Sequence, residues 1–385
     1  MNNRKSGVNM TLIETIKADN AEKWLKNHNG KSLYEAYLEV CRVMKPYIIE
    51  AERGAMANEI QKYRDDVIEK INNSKITIES RHDLETVFDE LPILFLNNHG
   101  EDHIHRVIEK ADEIISHFKD YSLTNFESFI LLCSIQIHDI GNVLGRVDHE
   151  KKLCTIFDEH VKETLIDTPE RRVIKAIAMA HGGRTQSGSK DTISEYLKES
   201  EPLFDEHIRP RELAAILRLA DELADDSTRY SYGAISLKII EDFSLIKHDY
   251  SRVLHTVMLE DKGFGCCNIK LAYELGVEDL EKKYSIFGEE KYLLDEIYDR
   301  TLKMERERRY CHKFLNANIK IDEIKVVISI YGDYCALIDE ITYSLEDYSY
   351  PSEPTDNSIK SIKNVKTGSE ELEYILSKKE VENAN

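Results

Sequence analysis

The stretch FILLCSIQIHDIGNVLG, residues 129–145, begins as a strongly apolar segment and continues into two ionisable side chains, His138 and Asp139. Residues 129–137 are apolar nearly all round, which is typical of a helix buried at the centre of a domain. Two interpretations of His138 and Asp139 are open. Either they are the first residues of a loop, or the rigid helix positions them to bind a metal ion. A single His-Asp pair does not decide between these interpretations.

The neighbouring segments predict further helices. EDHIHRVIEKADEIISHF, residues 101–118, repeats apolar residues every three or four positions. RRVIKAIAMAHGG, residues 171–183, ends at two glycines, and PRELAAILRLADELADD, residues 210–226, opens with proline in the first turn. We therefore expect a helical bundle over residues 91–232, preceded by a helical region over residues 1–90.

After residue 232 the helical pattern gives way to short runs rich in β-branched residues. These runs are SLKII (236–240), HTVMLE (255–260), CNIKLAYEL (267–275) and IKVVISIYG (324–332). A long helix rich in arginine and glutamate separates the last two, and its charges indicate a solvated, self-paired surface or, alternatively, a second nucleotide site. The sequence predicts a mainly α protein with a smaller C-terminal α/β domain over residues 233–350. Residues 351–385 are polar and predict a flexible tail.

Composition restricts the function classes. The chain has 385 residues and a formal net charge of −20, which disfavours an extended nucleic-acid surface but not a small phosphorylated substrate held by metal ions. Seven cysteines without C-x-x-C spacing argue against a disulfide framework and a thiolate zinc site. The start lacks the apolar region of a signal peptide, and no uncharged apolar stretch approaches the ~20 residues of a membrane span. We expect a reduced cytoplasmic protein without a membrane span; a homo-oligomer stays open.

Ligand-competent side chains occur at the ends or edges of several predicted helices. They are His103, His149, His181 and Asp221. Imidazole and carboxylate suit divalent transition metals and, with more oxygen ligands, Mg²⁺. Helical bundles build metal sites from single ligands on several helices. Because adjacent side chains on a helix point about 100° apart, Asp139 could bridge two ions while His138 serves one.

The order H…HD…H…H…D resembles the pattern of the HD-domain metal-dependent phosphohydrolases. The motifs that carry the resemblance are HIHRV, HDIG, DHEK, AHGG and RLADELAD, and they span roughly residues 95–230. The resemblance implies a helical fold and divalent metal ions, two in dinuclear members, drawn from Mn, Mg, Fe, Co, Ni and Zn. The positions that correspond to the four-ligand metal site are His103, His138, Asp139 and Asp221. His149 and His181 fall where dinuclear members place additional ligands.

The resemblance also implies roles in catalysis. Asp139 would bridge the ions and hold the nucleophile, and His181 or His99 could donate a proton to the leaving oxygen. His99 could equally cap the start of the helix that follows it.

Cationic side chains are needed for the phosphate oxygens that no metal ion contacts, and arginine is best suited to them. Arg146 and Arg184 lie on predicted loops next to ligands and are the candidates; Arg218 and Arg229 are weaker ones.

Two departures from the family pattern limit the substrate. Asn142 stands where many members carry lysine, so a lysine contact to phosphate is lost at that position. HGGRTQSG replaces the GYP signature of cyclic-di-GMP phosphodiesterases, which puts that substrate in doubt. We expect a metal-dependent phosphohydrolase acting on nucleotides, with dNTP triphosphohydrolase as the leading activity. The alternatives are a phosphodiesterase for cyclic nucleotides or short oligonucleotides, and a catalytically silent nucleotide-sensing module. A role in nucleotide-based stress or antiviral defense is compatible with the resemblance.

Overall fold

The chain forms two compact units in the computed structural model. The structure describes residues 10–18, 28–53, 100–144, 148–230, 242–286, 289–346, 359 and 365–383. The first unit draws its described residues from 1–53, 100–221 and 311–319, and the second unit contains the others. In this part of the chain the two units divide at residue 221, inside a helix, and the boundary predicted at residue 232 lies outside the described residues. Among the described residues no single helix is both long and apolar enough to cross a bilayer, although the bent pair Asn125–Leu144 and His149–His160 meets the criterion by length and composition.

Helices dominate the first unit, as the sequence predicts. They are α1 (Leu12–Lys17), α2 (Leu33–Arg53), α3 (Glu101–His117), α4 (Asn125–Ile137), α5 (His149–His160), α6 (Thr168–Met179), α7 (Thr192–Tyr196) and α8 (Pro210–Leu223), of which α8 ends in the second unit. Short 3-10 helices cover Ile140–Leu144 and Val161–Glu163, and a small antiparallel hairpin pairs β1 (Glu201–Leu203) with β2 (Glu206–Ile208).

The central helix is α4, which confirms the interpretation of the apolar stretch. Its start is capped reciprocally: Thr124 Oγ1 accepts a hydrogen bond from the Glu127 N–H at 3.1 Å, and Glu127 Oε2 accepts from the Thr124 N–H at 3.0 Å. Every residue of 126–137 is buried, and the helix packs against α1, α2, α3 and α6. Because α4 is surrounded, the residues at its C-terminal end are delivered into the interior of the unit.

The 3-10 helix that follows α4 packs closely on α5. A β-carbon at Gly141 would overlap the carbonyl oxygen of His149 and lie 2.7 Å from the backbone nitrogen of Leu153. Only glycine permits this approach of two backbones. The contact brings the first residue of α5 next to the end of α4.

The second unit is built on a four-stranded sheet. Its elements are a 3-10 turn (Ser227–Arg229), α9 (Asp242–Val253), β3 (Leu254–Gly263), β4 (Cys266–Gly276), α10 (Val277–Glu281), β5 (Lys283–Ile286), β6 (Glu289–Tyr292), α11 (Leu293–His312), β7 (Ile321–Tyr331), a 3-10 turn (Asp333–Cys335), β8 (Leu337–Leu345) and α12 (Gly368–Asn383), of which α11 ends in the first unit. The strand order is β3-β4-β7-β8, with β4 and β7 parallel and the outer pairs antiparallel. A parallel pair needs a long crossover, and α11 lies in that connection.

Three of the predicted strands are confirmed as β3, β4 and β7, and SLKII lies outside the described residues. Strand β8 was not predicted, because Asp339 and Glu340 interrupt its apolar pattern. Part of the segment 351–385, predicted as a flexible tail, forms α12 in the structure. Its Ile375 is fully buried, and the Gly368 N–H donates to Asp295 Oδ1 at 2.9 Å. One buried apolar side chain in a polar segment of α12 is too weak a signal for periodicity to find.

Candidate metal centre

Four predicted ligands from three helices meet in the first unit. His103 lies in the first turn of α3, His138 and Asp139 follow the last residue of α4, and Asp221 lies near the end of α8. His103 Nε2 is 3.2 Å from Asp221 Oδ1 and 3.7 Å from Asp139 Oδ2. His138 Nε2 is 3.4 Å from Asp139 Oδ2 and 3.7 Å from Asp221 Oδ1. We call these four residues the first cluster.

The other oxygen of Asp139 faces two further histidines. His149 Nε2, from the first residue of α5, lies 3.4 Å from Asp139 Oδ1, and His181 Nε2, just beyond α6, lies 3.8 Å from it. We call Asp139, His149 and His181 the second cluster. The two oxygens of the Asp139 carboxylate thus face two different pairs of imidazoles. In each cluster the two imidazoles and Asp139 offer three ligand atoms that lie close enough together to hold one ion.

Backbone carbonyls orient two of the imidazoles. The Nδ1–H of His138 donates to the Ile135 carbonyl at 2.7 Å, and that of His181 donates to the Ala178 carbonyl at 2.6 Å. Each ring therefore presents an unprotonated Nε2 toward Asp139 when it is neutral. His138 Nε2 is buried and has no hydrogen-bond partner among the described residues. An unsatisfied buried polar atom costs about 1–3 kcal/mol, and a metal ion at this position would satisfy it.

Electrostatics differ between the clusters. Burial alone would lower the pKa of His138, but the Asp139 and Asp221 carboxylates outweigh burial and hold that pKa well above its ordinary value. Burial would raise the pKa of Asp221, but His103 and His138 hold it well below its ordinary value. For His181, burial and the neighbouring His138 lower the pKa to about 4. A metal ion binds neutral imidazole, so binding at the first cluster would compete with a proton on His138.

The donor set fits a divalent cation. Neutral imidazoles with carboxylates are the ligands of Zn, Mn, Fe, Co and Ni sites, and carboxylates also suit Mg²⁺. The imidazoles of the first cluster are fully buried, whereas the side chains of His149 and Asp221 are 13% and 26% exposed. The centre therefore opens to solvent beside His149 and Asp221.

Three residues that the sequence did not single out as site residues support the second cluster and Asp139. Buried Glu150 places Oε2 3.3 Å from His149 Nδ1, and a β-carbon at Gly183, whose φ is +67°, would collide with the Glu150 carboxylate. Asn142 Nδ2 donates to Asp139 Oδ1 at 3.1 Å. Asn142 thus orients the shared carboxylate. Glu150, Asn142 and Gly183 lie in the motifs HE, HDIGN and AHGG, so the sequence contained them beside the predicted ligands. Their contacts with one another and with the ligands appear only in the folded structure.

The predicted phosphate-binding residues have different surroundings. Arg184 is exposed on the loop after α6, where Nη1 donates to the Gly188 carbonyl at 2.9 Å. Arg218 is buried and donates to Thr192 Oγ1 at 3.0 Å, and Arg229 pairs with Asp225 at 3.5 Å. Arg146 and His99 lie outside the described residues.

Comparison with known proteins places the centre inside a family. The family model described as HD-CE matches residues 86–303, more than half of the chain and all six residues of the two clusters. No curated protein and no solved structure matches the chain. The match therefore supports an HD-type domain and leaves the substrate to be argued from the site.

Proposed function

Because the chain belongs to the HD-CE family, we propose that it is a metal-dependent phosphohydrolase acting on nucleotides, with dNTP triphosphate hydrolysis as the leading activity. The observation that carries the proposal is the arrangement around Asp139. Its Oδ2 faces His103 and His138, and its Oδ1 faces His149 and His181. A carboxylate shared in this way is the arrangement that a two-ion site requires.

The residues of the two clusters would bind the metal ions, and a further histidine would donate a proton. The first cluster would hold one ion and the second cluster the other, with Asp139 common to both. When bound, the ions would supply Lewis acidity that polarises phosphoryl oxygens and promotes ionisation of a water molecule. His181 suits a ligand better than a proton donor, because its Nδ1–H is already donated to Ala178 and its low pKa keeps the ring neutral. His99 stays the proposed proton donor.

Substrate phosphate would be held at the open side of the centre. Arg184 lies three residues after His181, on a loop closed by hydrogen bonds between Thr185 and Ser189. Its guanidinium is exposed, and exchange of the Gly188 carbonyl for a phosphate oxygen would give a charge-assisted hydrogen bond. Arg146, which precedes α5 by three residues in the sequence, is the second proposed phosphate ligand. Small nucleotides suit this site better than extended nucleic acid, because the chain carries a net charge of −20.

Screening nucleotides with single metals would test the proposal. The purified chain would be incubated with dNTPs, NTPs, cyclic nucleotides and short oligonucleotides in Mn²⁺, Mg²⁺, Co²⁺ or Ni²⁺, and products would be separated by chromatography. We expect deoxynucleoside and triphosphate from dNTPs, at a rate that depends on added metal.

The other outcomes separate the alternatives. Linear nucleoside monophosphates from cyclic substrates would replace the leading activity by phosphodiesterase activity. If nucleotides bind but no product forms with any metal, the chain is a sensing module and the proposed hydrolysis is refuted.

The variant Arg184→Ala tests the proposed phosphate contact. Steady-state kinetics should show that it raises KM more than it lowers kcat.

A further inference from the structure

Three buried polar groups form a connected network beside the metal centre. Arg218 Nη1 donates to Thr192 Oγ1 at 3.0 Å and to the Ala180 carbonyl at 3.4 Å, and the Thr192 hydroxyl donates to the same carbonyl at 2.9 Å. Thr192 is fully buried and Arg218 is 6% exposed. Burying a cation is costly unless it is hydrogen-bonded, so these contacts maintain the position of Arg218. The sequence offered Arg218 as a weaker candidate for binding substrate phosphate, and in the structure its Nη1 is engaged in these internal contacts.

The network touches the turn that carries a ligand of the second cluster. Ala180 is the C-cap residue that follows α6, and it directly precedes His181, whose own Nδ1–H donates to the Ala178 carbonyl. The last carbonyls of a helix have no partner within the helix and attract cationic donors. Thr192 and Arg218 use one of these carbonyls. The turn before His181 is therefore fixed by two sets of hydrogen bonds. One is made by the His181 imidazole to the Ala178 carbonyl, and the other by Thr192 and Arg218 to the Ala180 carbonyl.

The same network reaches a ligand of the first cluster. Arg218 lies on α8 three residues before Asp221, one helical turn away, so the two side chains lie on neighbouring positions of one helix surface. Asp221 Oδ1 is 3.2 Å from His103 Nε2. A displacement of this turn of α8 relative to the end of α6 would change the spacing of Asp221 and His181. The network thus connects the backbone beside one cluster to the backbone beside the other.

We propose that Thr192 and Arg218 are positioning residues that set the spacing between the two metal clusters. The inference rests on the proposed two-ion centre and deepens it, because it assigns to these residues the geometry of the pair of ions. In this proposal both residues act through their contacts with the protein and not through substrate or ion. Loss of the Thr192 hydroxyl loosens the turn before His181 while His103 and His138 stay in place, so the ion of the second cluster is the one affected.

Titration with Mn²⁺, followed by electron paramagnetic resonance, tests this inference without substrate. Thr192→Val removes the hydroxyl with little change in shape, and Thr192→Ser retains it. We expect Thr192→Val to weaken the affinity for the second Mn²⁺ by about tenfold and to alter the signal of the coupled ion pair. Thr192→Ser should keep the wild-type affinity and signal. Arg218→Lys should alter the coupled signal as well, because lysine keeps the charge but loses the planar fork of donors.

The matched control is Thr164→Val. Thr164 is also a buried threonine of the first unit, and its hydroxyl donates to the Val161 carbonyl at 2.6 Å, beyond the C-terminal end of α5, whereas His149 begins that helix. This variant should lose stability but bind both ions as the wild type does. Equal effects of Thr164→Val and Thr192→Val, or two ions bound by Thr192→Val with wild-type affinity and spectrum, would overturn the positioning role alone. A wild-type protein that binds fewer than two ions would overturn the two-ion centre and this inference with it.

Discussion

Replacing Asp139 by alanine is expected to abolish turnover and to remove both metal ions. The two carboxylate oxygens face different imidazole pairs, so each ion would lose a ligand and the centre its shared group. Loss of a residue that only supports a metal ligand typically costs 10–100-fold, and loss of a shared ligand should exceed about a thousandfold. The measurements are kcat/KM and elemental analysis on the same preparation.

Two further variants make the Asp139 experiment specific. Asp139→Asn keeps one oxygen acceptor and the shape of the side chain, so it should retain more metal than Asp139→Ala but not two full ions. Asp158→Ala is the control, because Asp158 is an exposed aspartate of the same unit that pairs only with a surface lysine, Lys175, among its described ion pairs. Such a pair contributes about 0–1 kcal/mol, and the variant should keep activity and metal. Full activity with stoichiometric metal in Asp139→Ala would show that another residue is the centre.

Gly141→Ala is expected to destabilise the protein and to weaken the second cluster. The added β-carbon would overlap the His149 carbonyl oxygen and approach the Leu153 nitrogen to 2.7 Å. Both are backbone atoms of α5 and cannot rotate away, so the helix must shift, and His149 shifts with it. Overpacking of this kind costs about 1–3 kcal/mol. Urea denaturation of the ion-free protein would measure the loss of stability, and metal titration would measure the second site.

Gly182→Ala provides the control for the glycine experiment. A β-carbon at Gly182 meets no atom within 4 Å, although this residue is adjacent to His181. The variant should therefore unfold at the wild-type urea concentration. Wild-type stability in Gly141→Ala would mean that α5 does not pack on the 3-10 helix as closely as the structure places it.

The helices of the site were predictable because their signals are local. The apolar run of α4 and the three- and four-residue spacing in α3 both correspond to faces that the structure buries. The order of His103, the His138–Asp139 pair and Asp221 likewise indicated a shared site, and these residues meet within one unit. Periodicity reports which face of a helix is buried, and the motif order reports which helices converge.

The supporting residues were not predictable because their roles depend on contacts between distant segments. Thr192 and Arg218 meet only after α6, α7 and α8 pack, and the sequence offered Arg218 as a weaker candidate for binding substrate phosphate. The Glu150 carboxylate occupies the space that a β-carbon at Gly183 would fill, and these two residues are distant in the sequence. The boundary inside α8 was hidden because one continuous helix serves both units, and no change of composition marks residue 221.

Counting the metal ions per chain tests the central claim most directly. Elemental analysis would be applied to the wild type and to the double variant His149→Ala/His181→Ala after saturation with one metal and removal of the excess. We expect two ions per chain in the wild type and one in the double variant, because the double variant retains His103, His138, Asp139 and Asp221. An unchanged metal content in the double variant, or one ion in both proteins, would contradict a two-ion centre built around Asp139.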